Sequence, residues 1–395
     1  MRKFFVSTDE EIAAGETTDV YFLRTKQILR AKKMEKIRVL AEVTAGGLPE
    51  NWPWGILCGV EEVARLFEGK NVDVHCMPEG TLFRPFDCNG MRVPVLTVEG
   101  GYGEFCELET PMLGLLCQAS GVATMAARMR KLVGEKILMA FGVRRIHPAM
   151  APMVDRAAYI GGFDGVSSLI GAKTIGKEPM GTMPHSLIIT FGDQAKAWKA
   201  FDEVMPSDVP RIALVDTYWD EKTEAIRAAE TLRKRLAGVR LDTPGSRKGD
   251  FASIIREVRW ELDYRGFNHV KIFVSGGIND KNIRELAEAG ADGFGVGTSL
   301  SNAPTIDFAM DLVEVEGKPV AKRGKLGGRK NVFRCGRCLI DIVSTKTSER
   351  CRKCGEKMVP ALAPLVRRGK IVAKLPDPDA IRDRVLKQLR KISEV

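Results

Sequence analysis

The chain lacks the marks of a membrane, secreted or repeat protein. No apolar run approaches the ~20 residues that a bilayer-spanning helix needs, and no internal repeat or low-complexity tract interrupts the 395 residues. The N-terminus, MRKFFVSTDEEI, offers two basic residues but only a three-residue apolar stretch before Ser7 and an acidic run. That is too short for the core of an export signal, so a cytoplasmic location is expected. Histidine is scarce, with four in the whole chain, which confines imidazole chemistry to few positions. Beyond Phe333, no aromatics are interleaved with the basic stretch 322–334, and no recognition-helix pattern stands beside it. Both gaps weigh against a nucleic-acid-binding protein.

What is present is the balance of an ordinary globular protein: 44% hydrophobic and 28% charged residues. The length suggests two or three domains and supports a core without staples. The formal charge of +10, from 61 Lys plus Arg against 51 Asp plus Glu, favours anionic partners, either nucleic acid or phosphate-rich small molecules. The nine cysteines divide unevenly. Cys58, Cys76, Cys88, Cys106 and Cys117 are scattered singly, whereas Cys335-x-x-Cys338 and Cys351-x-x-Cys354 form two pairs around a twelve-residue loop. Two such knuckles place four thiolates tetrahedrally, and a closed four-cysteine zinc site is structural. It would hold together a module too small to fold on its own core. An iron–sulfur cluster is the alternative, although ferredoxin-like spacing is absent.

Residues 1–108 mix helical stretches (19–36 and 59–68) with strand-like ones around VDVHC and 93–98, and a turn at Asn89-Gly90. They read as a separate small α/β layer, joined by a returning segment at 313–333. A catalytic α/β domain follows over 109–312. After a long apolar helical region, short apolar runs end in polar or glycine residues and alternate with helical segments. The runs are 137–145, 165–169, 181–190, 211–218, 238–244, 271–278 and 293–300. Strand, polar tip and helix in repetition predict parallel βα units and a closed or nearly closed (β/α) barrel, with an open doubly wound sheet as the alternative. DFAMDLVEVEGKPVAK, from Asp307, reads as a helix followed by one or two strands. Residues 334–395 hold the cysteine module and a charged helix near 379–391.

In a βα barrel, catalytic groups come from the C-terminal strand ends. That rule nominates Arg144, Arg145, His147, Thr182, His185, Asp216, Arg240, Asp242, Ser275 and Thr298, although any one of them could simply cap a helix or form an ion pair. SGGI (275–278) and GVGTS (295–299) form the last two strand tips, a recurrent phosphate site in such barrels. His185 can act as a neutral nucleophile or move a proton. The arginines offer planar forks for carboxylate or phosphate. Asp216 and Asp242 suit ribose hydroxyls or a Mg²⁺ ion shared with phosphate oxygens.

With these residues in place, the sequence resembles nicotinate phosphoribosyltransferases, and more closely a compact archaeal type with a zinc module. The likeness rests on TTDVYFLRT, EGTLF, FGVRRIHPAM, DRAAYIGGFDGVS, GTMPHSL, VDTY, RLDTP, SGGI and GVGTS in this order. The resemblance implies a type II phosphoribosyltransferase: an α/β sandwich plus an irregular barrel, in dimers or higher homo-oligomers with shared active sites. It implies nicotinate and phosphoribosyl pyrophosphate as substrates, nicotinate mononucleotide and pyrophosphate as products, and Mg²⁺ and ATP as helpers in NAD biosynthesis. The family's phosphorylated histidine falls on His185. Its nicotinate pocket falls on Tyr21, Phe141, Thr182 and Arg240, and its phosphoribosyl contacts fall near Gly276, Gly277, Gly297 and Thr298. Arg144, Arg145 and Ser275 are added to the substrate-binding set. The chain departs from the pattern at Gly245, where a serine would bind phosphate; Ser246 or Arg247 is the expected substitute. The four-cysteine module is not general to the family. Quinolinate and nicotinamide phosphoribosyltransferases are the neighbouring alternatives. A zinc-ribbon protein binding nucleic acid is the non-enzyme alternative. Within the enzyme reading, Lys325, Arg329 or Lys330 is expected to reach substrate.

Overall fold

A computed structural model describes residues 3–395; Met1 and Arg2, at the head of the N-terminal stretch read above, lie outside the described residues. The chain divides into two compact units, residues up to Thr124 together with Pro304–Val395, and Met125–Ala303.

The first unit is built on a seven-stranded sheet in the order Lys318–Pro319, Phe308–Val315, Arg38–Ala45, Pro94–Gly101, Val72–Cys76, Ala363–Arg367, Lys370–Ile371. Every pairing is antiparallel. The interior strand Arg38–Ala45 is buried along all but its first residue. Val39, Ala41, Val43 and Ala45 face the apolar core, where Val60, Val63 and Ala64 of the helix Val60–Leu66 and Met112 and Leu116 of the helix Glu109–Val133 meet them. Small side chains let the backbones approach. A Cβ on Gly59 (φ +90°) would lie 2.4 Å from the Leu115 carbonyl oxygen, so only glycine fits there. Hydroxyls on the same long helix satisfy buried backbone donors: Ser120 Oγ accepts the Cys58 N–H at 3.0 Å, and Thr124 Oγ1 accepts the Ile56 N–H at 2.8 Å.

The expected helix after Asp307 is instead the strand Phe308–Val315, paired along Arg38–Ala45. Phe308, Met310 and Leu312 alternate toward the core and Asp311 and Val313 toward the other face. Period-two burial against a neighbouring strand overrides local helix propensity here. Further on, Asn331–Arg334, Asp341–Ser344 and Val359–Pro360 make a three-stranded sheet around Phe333, Cys335, Ile342, Cys351 and Met358.

The second unit holds a six-stranded sheet in the order Gly165–Val166, Ile137–Ala140, Gly293–Val296, Lys271–Ser275, Leu236–Leu241, Arg211–Leu214, parallel throughout. Its outermost strands are not bonded to each other, so it is a partial barrel. Helices fill the expected intervals, and Asp220 and Asp250 cap two of them by accepting the Thr223 and Ser253 N–H groups. One expected strand is absent. Residues 181–184 are loop and His185–Phe191 is a helix with Pro184 at its N-cap. Proline has no N–H for a ladder, and in the apolar run SLIIT Ile188 is buried while Ile189 is exposed, one-sided burial that suits a surface helix. Among the described residues no helix is long and apolar enough to cross a membrane.

Candidate active site at the strand ends

Parallel register brings Arg240 beside Leu214 on one side and Phe273 on the other. The residues just beyond these strands therefore converge. Arg240 Nη1 donates to Asp242 Oδ2 at 3.2 Å and to Ser275 Oγ at 3.1 Å, and its Nη2 donates to the Met183 carbonyl at 2.9 Å. Ser275 Oγ donates to Asp242 Oδ1 at 2.7 Å. Asp216 Oδ2 accepts the Asp242 backbone N–H at 2.9 Å. His185 starts its helix with Nδ1 3.1 Å from Thr217 Oγ1, and its Nε2 lies 3.7 Å from Asp242 Oδ2 and 3.9 Å from Asp216 Oδ1. Those last two separations are too long for direct hydrogen bonds but short for charges.

The electrostatics follow from this crowding. Attraction to the Asp242 carboxylate raises the His185 imidazole above its ordinary value; burial opposes it and the Asp216 charge adds to it. Burial pushes Asp216 up to about 6, against the pull of His185. Burial would raise Asp242 as well, but His185, Arg240 and Ser275 outweigh it and hold that carboxyl at about 2. Two carboxylates thus sit in one site with values pushed apart, the pattern that separates a proton acceptor from a permanent anion. Asp216 Oδ1 and Arg240 Nε are buried with no hydrogen-bond partner among the described residues. A buried polar atom left unpaired costs about 1–3 kcal/mol, so both orphans mark where a ligand would be welcome.

The remaining expected residues are placed as follows. The Phe141 ring lies across Gly295, where a Cβ would come within 2.4 Å of it. Gly276 and Gly277 are consecutive left-handed residues (φ +75° and +71°), and a Cβ on Gly276 would press to 3.1 Å from Asp242 Oδ1. Ser299 ties the last two strand tips together by donating to the Ile278 carbonyl at 2.7 Å, beside Gly297 and the exposed Thr298. Arg144, Arg145 and His147 follow the strand Ile137–Ala140 and are exposed; His147 Nδ1 accepts the Ala149 N–H, a capping role. Thr182 is half-buried in the loop before His185, and Ser246 and Arg247 are exposed on the loop after Asp242. Tyr21 belongs to the first unit, exposed on the helix Val20–Ala31, with its hydroxyl donating to Asp19 Oδ2 at 3.4 Å. The basic segment is engaged within the first unit: Lys322 and Lys325 with Asp311, Arg329 with Glu99, and Lys330 with Glu42.

Two consecutive stretches of the chain match models of one family: the N-terminal domain of quinolinate phosphoribosyl transferase over 19–120 and its C-terminal domain over 122–311. Nicotinate phosphoribosyltransferase pncB1 of Mycobacterium tuberculosis is 32% identical over 322 residues, covering 76% of this chain and 68% of that protein. The chain belongs to the nicotinate phosphoribosyltransferase family. Among solved structures, the nicotinate-nucleotide pyrophosphorylase of Pyrococcus furiosus is 54% identical, with TM-score 0.95 over 99% of both chains. Human nicotinic acid phosphoribosyltransferase, at 21% identity and TM-score 0.72 over 95% of this chain and 94% of its own, shares the fold.

This phosphoribosyltransferase also contains groups that the motifs did not point to. Glu224 is fully buried and accepts the backbone N–H groups of Thr217, Tyr218 and Trp219 at 2.8–3.2 Å, which fixes the loop bearing Asp216 and Thr217. Its signal in the sequence was faint: an acid at the head of the stripe Glu224, Ala228, Leu232, otherwise apolar. Lys248, whose ammonium is destabilised by burial, donates to the Ser275 carbonyl at 3.4 Å and to that of Gly276. The Sγ atoms of Cys335, Cys338, Cys351 and Cys354 all lie within 4.8 Å of one another, and the Cys338 N–H donates to Cys335 Sγ at 3.3 Å. A tetrahedron of Zn–S bonds near 2.3 Å has sulfur–sulfur edges of about 3.8 Å, so an all-sulfur zinc site fits with little adjustment.

Proposed function

We propose that the strand-end cluster transfers the phosphoribosyl group of phosphoribosyl pyrophosphate to nicotinate, yielding nicotinate mononucleotide and pyrophosphate for NAD synthesis. The observation that carries this reading is Arg240, a buried guanidinium fixed by Asp242, Ser275 and Met183 with its Nε unpartnered. A pyridine carboxylate supplies the missing acceptor, and the Phe141 ring offers a face for the pyridine. Gly276, Gly277, Gly297 and Thr298 leave backbone room for the 5′-phosphate, and Ser246, Arg144 and Arg145 are exposed on loops suited to the pyrophosphate. Asp242, anionic throughout the physiological range, stabilises the positive charge that develops on the ribose as the C1′–O bond breaks.

Asp216 Oδ1 is the one carboxylate oxygen of the pair without a partner, whereas both oxygens of Asp242 are engaged. That suits Mg²⁺, which takes one or two protein oxygens and fills its shell with phosphate and water; when bound it neutralises charge on the departing pyrophosphate. We extend the reading to ATP. The Nε2 proton of the His185 imidazolium passes first to Asp216, whose raised value suits an acceptor; the freed Nε2 lone pair attacks the γ-phosphorus, and the bond to the ADP oxygen breaks with ADP leaving. The exposed apolar residues Val20, Tyr21, Leu23 and Ile28 on the helix Val20–Ala31 fit a second copy of the chain, with Tyr21 completing its site.

The second reading is quinolinate as acceptor, favoured by the names of the two matching domain models. Product analysis with phosphoribosyl pyrophosphate, Mg²⁺ and nicotinate, nicotinamide or quinolinate separates them. Nicotinate mononucleotide from nicotinate alone supports the proposal; carbon dioxide release from quinolinate sinks it. With γ-labelled ATP, acid-labile label on the wild type and none on His185→Ala is expected. Equal labelling of both would remove the histidine from the ATP step.

A further inference from the structure

The basic segment 322–330 roofs a cavity in the first unit that no step above uses. On the face of the seven-stranded sheet turned away from the core, Glu42 and Thr44 of one strand and Asp311 and Val313 of its neighbour form the floor of a space of about 290 Å³. Lys325 and Leu326 close it from above, and Phe86, Met91 and Arg92 close one side. A cavity of roughly 150 Å³ accommodates benzene, so this one has room for a monocyclic ring with a substituent.

The charges in the lining do not cancel. Lys330 Nζ lies 3.0 Å from Glu42 Oε1 and also donates to the Leu326 and Gly328 carbonyls, which uses all three of its protons. Lys325 Nζ lies 2.6 Å from Asp311 Oδ2. Each carboxylate of the floor is thus paired, Glu42 by Lys330 and Asp311 by both Lys325 and Lys322, the latter 2.8 Å from Oδ1. Arg92 is the remaining cation, and its recorded partners are neutral: the Ala45 and Gly46 carbonyls, at 2.8 and 3.0 Å, and the Phe86 ring, whose centroid is 5.1 Å from its guanidinium carbon. In addition, the hydroxyl of Thr44, a residue 6% exposed, has no hydrogen-bond partner among the described residues. A buried donor in want of an acceptor, a cation whose partners are neutral and an aromatic wall line one partly open cavity.

We propose that this cavity is a second ligand site, separate from the strand-end cluster, for a small planar monoanion: a carboxylate on a single aromatic or heteroaromatic ring. The ring lies against Phe86 and Met91, and the carboxylate accepts from Thr44 Oγ1 and pairs with Arg92. Such a ligand gives the Thr44 hydroxyl an acceptor and Arg92 an anion, whereas a neutral ring leaves the guanidinium uncompensated.

The test is calorimetric titration of the full chain with benzoate, with nicotinate and with neutral nicotinamide, repeated on Thr44→Val and Arg92→Gln. Thr44→Val is nearly isosteric and lies outside the transfer chemistry, so it reports on the site even if Arg92→Gln unfolds. The expected result is two equivalents of nicotinate and at least one of benzoate on the wild type. Thr44→Val is expected to weaken one of these about tenfold while leaving phosphoribosyl transfer as it was. Isotherms unchanged by Thr44→Val, nicotinamide held in the cavity as tightly as the carboxylates, or a single equivalent lost together with turnover would each overturn the proposal.

Discussion

The strand-end cluster and the four-cysteine module solve opposite problems with polar groups. In the module every sulfur faces the other three, and the ion pair of Arg334 with Asp341, at 2.6 and 2.8 Å, closes the surrounding network. At the strand ends, the side chains of Arg240, Asp242 and Ser275 are hydrogen-bonded to one another, yet Asp216 Oδ1 and Arg240 Nε remain without partners among the described residues and the two aspartates are driven to opposite ends of their range. A site that is complete in itself holds a fold together. A site left incomplete by its own residues is where a substrate can complete it.

The comparison breaks most visibly if the module proves indifferent to metal. Structural zinc sites are worth about 10–16 kcal/mol in small modules, so chelation or Cys335→Ser should abolish the metal content and lower the first unit's melting transition by many degrees. Elemental analysis is expected to find one zinc per chain, and an iron signal would replace zinc with a cluster. Next in size, Asp242→Asn leaves the buried Arg240 without its counter-charge, a loss of about 3–5 kcal/mol. It should also lower the His185 titration midpoint toward the ordinary imidazole value near ~6.5, read by NMR; an unmoved midpoint would detach the histidine from Asp242.

Asp216 should move stability the other way. Its folded value, about 6, lies above the unfolded ~3.9, so its neutral form stabilises the fold at low pH and that contribution is lost as pH rises from about 4 through about 6. Asp216→Asn is therefore expected to gain about 3 kcal/mol at pH 8 while losing turnover, measured by urea denaturation beside the activity assay. Asp242 has the opposite sign. Its stabilisation is present above pH ~4 and is lost as pH falls toward about 2. The smallest effect is expected from Glu224→Gln, which keeps shape but weakens the bonds to Thr217, Tyr218 and Trp219 by about 1 kcal/mol. KM for nicotinate should stay level while ATP stimulation falls, because the loop positions His185 through Thr217.

Much of this was legible in the sequence. Alternation of short apolar runs with capped helices gave the parallel sheet, and polar residues directly after those runs gave Asp216, Asp242 and Ser275. Spacing alone pointed to the cysteine cluster. The failures have physical causes. Residues 181–190 carry an apolar run that resembles a buried strand, and only Pro184 hints at the helix that forms. Phe308–Val315 reads as helix because its partner strand lies far away in the sequence. Glu224 and Thr217 act through backbone and ring geometry, which leaves little trace in residue type. The basic segment appeared suited to phosphate, but the acids that pair with it, Glu42, Glu99 and Asp311, are scattered over three strands and become its neighbours only when the sheet forms.

The most direct test of the central claim is pyrophosphate release from phosphoribosyl pyrophosphate and Mg²⁺ with nicotinate as acceptor, run on the wild type and on Asp242→Asn. The account predicts nicotinate-dependent release by the wild type and a loss of about a hundredfold or more in the variant, the scale expected when charge stabilisation in the transition state is removed. Release that is independent of nicotinate, or undiminished by Asp242→Asn, would contradict it.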